Sequence, residues 1–205
     1  MGPAIADLFE QEGGTVLRDR ADPAAPDHAQ HLIDSAGRVD VLVANLMSRN
    51  NRLTAAETGD NDWHRMFDVM VHPLHRLVRA VLPQMLHRGR GKIVVIGSAN
   101  GLRGTSIRSA YSAARGAQLA YVRCVGVEVS GQGICVNAIA QNWVSNPTSY
   151  PPEVTEAPDF QVRLADVPIA RIARGGESAA LALFLASGES DFIGGQTVAF
   201  AGGWT

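Results

Sequence analysis

Only two cysteines occur in the 205 residues, Cys124 and Cys135. They form no CxxC pair and sit within apolar segments, so a reduced, intracellular protein is expected. No stretch approaches the roughly eighteen apolar residues of a transmembrane helix. The N-terminus has no basic-then-apolar leader, so neither membrane insertion nor secretion is indicated and a cytoplasmic location is expected. An excess of charge of one sign is also missing. With 18 Lys and Arg against 20 Asp and Glu, the net charge is -2 and the pI near 6.3, which leaves no electrostatic footprint for nucleic acid or an anionic membrane surface. What the chain does have is apolar material. At 46% hydrophobic and 19% charged, it can build the core of one globular domain over 1–205.

Short β-rich runs alternate with longer helical patterns. The runs are TVLRD (15–19), VDVLVAN (39–45), KIVVIGS (92–98), ICVNAIA (134–140) and TVAFA (197–201), and the helices are expected over 3–12, 27–36, 61–88, 109–130 and 177–187. Near-continuous apolar strands separated by helices predict an α/β fold, a Rossmann-like doubly wound parallel sheet with helices on both faces. Pro73 removes a backbone donor inside the third helix and should bend it. The stretch 141–160, QNWVSNPTSYPPEVTEAPDF, places four prolines after a strand and reads as an ordered active-site loop. The opening, MGPAIADLFEQEGGTV, already has the pattern of the first helix. A doubly wound fold begins with a strand and a Gly-rich turn, so a missing first strand is expected, from a truncated or mis-started chain that keeps only Gly2 of the turn. Its loss from mid-sheet should leave ladder groups of its neighbours unpaired.

The residues with chemistry cluster near the third run. Ser98 ends KIVVIGS, Tyr111 follows thirteen positions later in SAYSAARG, and Arg115 is four beyond the tyrosine. Tyr111 and Arg115 therefore share one helix face. A phenol can act as a base only if its pKa falls from about 10 toward neutrality, and a permanent guanidinium charge one turn away favours the phenolate. Ser98, at the carboxyl edge of the sheet, can bond the same substrate oxygen. The competing reading is a helix tyrosine with an extended arginine beside it and a serine that caps a strand end.

From Gly2 to Thr205 the chain resembles the short-chain dehydrogenase/reductase superfamily and, within it, the halohydrin dehalogenases. The resemblance implies a Ser98, Tyr111, Arg115 catalytic triad in which arginine stands where dehydrogenases carry lysine. After the VNAIA strand, Gln141 and Asn142 occupy the Pro-Gly positions of the dehydrogenases, and Trp143 follows. In the family this loop wraps a halide where nicotinamide would lie. That implies backbone N–H groups of Trp143 and Val144 as halide donors, with Asn142 and Tyr150 lining the pocket. Trp143 read as a core aromatic packed under a loop is the alternative.

Met70 stands where dehydrogenases carry a relay asparagine, and Leu46 where some dehalogenases carry an aspartate linked to the arginine and solvent. The aromatic residue that closes the family's halide pocket would lie upstream of Met1. Asp19 occupies the ribose-binding position of NAD enzymes but also occurs in dehalogenases, so it does not discriminate. His72 with His75, and His28 with His31, complete no metal site.

The resemblance thus implies a lyase that converts vicinal halohydrins to epoxides, releasing halide and a proton, and opens epoxides with small anions in reverse. It needs no cofactor and no metal. The helices at 61–88 and 109–130 and the terminal FAGGWT imply pairing between subunits as a dimer or tetramer. The alternatives are an NAD(P)-dependent short-chain oxidoreductase with an unusual arginine, and an inactive truncated member.

Overall fold

A computed structural model of the chain describes residues 1–48, 51–146 and 150–205. Four strands, β1 (Val41–Ala44), β2 (Gly91–Ser98), β3 (Ile134–Gln141) and β4 (Thr197–Phe200), form one parallel sheet in the order β1-β2-β3-β4. Around it run α1 (Gly2–Gln11), α2 (His28–Ala36), α3 (Asp60–Met70), α4 (His72–Arg88), α5 (Ser109–Val129), α6 (Pro152–Thr155), α7 (Pro158–Leu164) and α8 (Gly175–Ala186). Side chains alternate across a strand, so β2 sends Ile93 and Val95 to a core shared with α2, α4 and α5. Val94 and Ile96 pass to the opposite face, against Ile5 of α1 and Ala179, Ala182 and Leu185 of α8. Helices thus cover both faces, as the apolar runs require.

The predicted strand TVLRD does not form. Residues 15–19 are irregular and largely exposed, with Leu17 59% accessible. A strand holds its shape only when a neighbour completes its ladder, and β1 is the edge of the described sheet, with no strand beyond it for 15–19 to join. Arg18 is instead tied back to α1 by Asp7 and Glu10.

The predicted helix over 61–88 is two helices that part at Val71, two residues before Pro73. The proline cannot donate to a carbonyl of the preceding turn, so it serves as a first-turn residue of α4. The stretch 141–160 is less irregular than its prolines suggest. Pro152 and Pro158 open α6 and α7, where a missing N–H costs nothing, while 147–149 lie outside the described residues.

A single turn of 3-10 helix, Ala99–Gly101, carries the chain from Ser98 toward α5. A Cβ on Gly101 would lie 2.9 Å from both the carbonyl carbon of Arg115 and Cδ1 of Leu119, so only glycine admits this approach. Gly101→Ala is expected to cost about 1–3 kcal/mol through overpacking and to move Arg115 relative to Ser98. The check is a lower Tm together with reduced turnover.

Candidate active site

Ser98 closes β2 at the carboxyl edge of the sheet, where its Oγ accepts the N–H of Asn100 at 3.2 Å. Tyr111 lies in the first turn of α5 and Arg115 one turn further, so a strand end and a helix start fix all three groups. Ser98 and Arg115 are buried, and Tyr111 is half-buried. The side chains of Ser98 and Arg115 lie close enough to the phenol of Tyr111 to influence its ionisation. The Arg115 guanidinium carbon lies 5.2 Å from the centre of the Tyr111 ring, and that of Arg108 5.8 Å. Burial alone would raise the phenol. The charge of Arg115, the polar side chains of Ser98 and Arg115 beside the phenol and the charge of Arg108 outweigh it, so Tyr111 ionises below the ordinary tyrosine range.

Among the described residues, no carboxylate pairs with Arg115. Its Nη1 donates to the carbonyls of Leu46 at 3.0 Å and Ile96 at 3.2 Å and to Oε1 of Gln118 at 2.9 Å. Leu46 therefore contributes its backbone oxygen where its side chain offers nothing. Gln118, in turn, donates from Nε2 to the carbonyl of Met70 at 2.8 Å. Gln118 is fully buried and was not singled out from the sequence. A signal was present: it is a polar residue within the helical stripe Ala114, Arg115, Gln118, Leu119, Val122, all of which the fold buries.

The segment after β3 approaches the same edge. Asn142 N–H donates to Phe200 O, Ala173 N–H to Trp143 O, and Ser145 N–H to Ala173 O, which pins the turn. Trp143 has a φ of 37°, a left-handed conformation unusual for a bulky residue. Among the described residues, the N–H groups of Trp143 and Val144 have no acceptor, and Nδ2 of Asn142 is buried without a partner. The Trp143 ring itself packs 5.5 Å from Phe160 and 6.4 Å from Trp204, centre to centre, in the manner of a core aromatic. Tyr150 packs against Phe160 at 5.8 Å with the rings tilted by 58°, within the same cluster, which includes Ala99 beside Ser98. Burial pushes the Tyr150 phenol up, partly offset by the charge of Arg108 and reinforced by Tyr111.

The structure thus brings Ser98, Tyr111 and Arg115 together and places Tyr150 within electrostatic reach of Tyr111, while Asn142 and Trp143 line a cavity with Val167, Ile169 and Phe200 to which none of the three contributes. It gives the Trp143 side chain a packing role. Trp204, in the terminal segment, is buried in its own chain beneath Arg103, whose guanidinium lies 4.6 Å from its ring. Asp19 pairs with His28 at 2.8 Å, and His72 with Asp68 at 3.0 Å. Among the described residues, no three His, Cys, Asp or Glu side chains converge on a metal position, and no helix is long and apolar enough to cross a membrane.

A family described as Enoyl-(Acyl carrier protein) reductase matches residues 20–205. The chain belongs to this family of short-chain dehydrogenase/reductases. It is 30% identical over 205 residues to the 3-oxoacyl-[acyl-carrier-protein] reductase FabG of Escherichia coli, spanning 98% of this chain and 81% of that one. Among solved structures, a "Dehalogenation enzyme" superposes with a TM-score of 0.83 at 29% identity, covering 99% of this chain and 83% of the other. The halohydrin dehalogenase HheC bound to ethyl (2S)-oxiran-2-ylacetate gives a TM-score of 0.80 at 26% identity, covering 98% and 82%. Reductases and dehalogenases thus share this short-chain dehydrogenase/reductase fold, and only the side chains at the site can separate their chemistries.

Proposed function

We propose that the chain is a halohydrin dehalogenase, and the observation that carries the reading is Arg115. A buried guanidinium occupies the basic position beside Tyr111, held so that its charge falls on the phenol. Tyr111 as phenolate takes the hydroxyl proton of a vicinal halohydrin while Ser98 holds the oxygen. The alkoxide then forms a bond to the adjacent carbon as the carbon-halogen bond breaks, and halide leaves with the electron pair. The products are epoxide, halide and the proton on Tyr111. Fixing oxygen and carbon-halogen bond in line supplies the orientation that intramolecular displacement needs. The N–H groups of Trp143 and Val144, with Asn142 and Tyr150 beside them, are the proposed halide contacts. Arg108 adds positive potential at Tyr111 and Tyr150, which favours small anions entering or leaving.

The second reading is an NAD(P)-dependent oxidoreductase, with Ser98 and Tyr111 on a carbonyl oxygen. The names of the curated relatives favour it over the first. One position tells against it. Asp19, which would reach a ribose, is engaged by His28 and by the N–H of Ala21, and 15–19 do not form the strand that would aim it. Under the dehalogenase reading no nicotinamide cofactor is required.

The test measures halide release from a simple vicinal bromoalcohol without added cofactor, with NADH and NADPH titrated against the same protein by calorimetry. Halide release with no saturable dinucleotide binding is expected. Saturable binding with ketone reduction, and no halide, would establish the oxidoreductase instead.

A further inference from the structure

We propose that Gln118 is a positioning residue that holds the Arg115 guanidinium against Tyr111 while leaving its charge uncompensated. This rests on the reading of Tyr111 as the base. Three acceptors fix Nη1 of Arg115, and two of them, Leu46 O and Ile96 O, are backbone groups. The third, Oε1 of Gln118, is the one that a side chain supplies among the described residues. Its own orientation is set from the far end, because Nε2 is spent on Met70 O. That carbonyl belongs to the last turn of α3, where helix geometry leaves carbonyls without intrahelical donors. The break of the 61–88 segment at Val71 therefore presents the anchor on which the amide rests.

An amide is the right chemistry for this place. A carboxylate would grip the guanidinium more strongly but would cancel much of the positive field that lowers the phenol. An apolar side chain would add no opposing charge but would leave the guanidinium less constrained, so that its charge is held less closely on the phenol. A fully buried amide is also costly unless both its ends are bonded, and here both are. The charged and titratable groups acting on Tyr111 are Arg115 and Arg108, from α5 and the residue before it, and the phenol of Tyr150 from the segment after β3. The α3 residues packed in the same cluster, Met66, Phe67 and Met70, carry no charge.

The rival explanation is that Gln118 only ties α5 to α3. Spectroscopic titration separates the two. Phenolate absorbance is followed against pH without substrate in the wild type, Gln118→Met and Gln118→Glu, each beside its Tyr111→Phe counterpart, so that the difference reports Tyr111 alone. Thermal melting is recorded on every variant. Gln118→Glu is expected to raise the Tyr111 midpoint by about one pH unit, since a negative charge now faces Arg115, and Gln118→Met by less in the same direction. The pH–rate profile should move with it. Lower melting temperatures with an unmoved Tyr111 titration in both variants would overturn the proposal. Should Gln118→Met fail to fold, Gln118→Asn replaces it: the shorter amide cannot reach both partners, and the same upward shift supports the proposal while none overturns it. A shifted phenol in a protein that releases no halide would discard the dehalogenase reading and leave the role of Gln118 standing.

Discussion

Tyr111→Phe is expected to lower halide release by about 10²- to 10⁴-fold, the usual contribution of a general base in the transition state, while the fold stays intact. In the proposed mechanism the phenolate oxygen of Tyr111 accepts the substrate proton, with Ser98 assigned to holding the oxygen and Arg115 to electrostatics. The ring itself packs beside Met66, Met70, Ala110 and Ala114, and phenylalanine preserves that packing. Initial rates of halide release, with circular dichroism to verify the fold, decide the matter. Near-native rates in the variant would remove Tyr111 from the chemistry.

Arg115→Met is expected to have the second largest effect, on two observables at once. Without the guanidinium the Tyr111 phenol loses the main influence that lowers it, so burial dominates and the acid limb of the pH–rate profile, where the phenolate is lost, moves to higher pH. Arg115→Lys should retain partial activity with a displaced optimum, because a charge remains but the guanidinium's planar set of donors does not. Stability changes too. Leu46 O, Ile96 O and Oε1 of Gln118 lose their donor, and each acceptor left unsatisfied in the interior costs about 1–3 kcal/mol.

The pH dependence has a definite sign. In the wild type the phenol ionises at lower pH folded than unfolded, so its contribution to stability grows as pH rises through the folded value. It is complete above the ordinary phenol value of about 10 and lost as pH falls below the folded value. Arg115→Met removes that gain. The gap in Tm between wild type and variant should therefore widen on the alkaline side, and a gap independent of pH would show that Arg115 does not govern the phenol.

Most of the architecture follows from local pattern. The runs at 92–98 and 134–140 are apolar on consecutive residues, which only a strand buried on both faces needs, and they became β2 and β3. The Ser98, Tyr111 and Arg115 spacing was equally readable, since i and i+4 on a helix fix a shared face without any tertiary knowledge. TVLRD failed for the opposite reason. Its composition suits a strand, but strand formation depends on a partner that lies elsewhere in the chain or nowhere in it, and no local property reports that.

The support of the site lay beyond local pattern as well. Nothing in the residues near Arg115 says that Leu46, Ile96 and Met70 bring backbone carbonyls to the same few ångströms, because those groups are identical at every position and acquire meaning only from where the fold puts them. The Trp143 ring likewise had two readings until Phe160 and Trp204 closed around it. Which strands are buried and which side chains could carry acid–base chemistry depend on residue type and spacing, and both are legible along the chain. The tertiary structure decided which predicted strand fails, what anchors the arginine and where the tryptophan rests, because those depend on contacts between residues far apart in the chain.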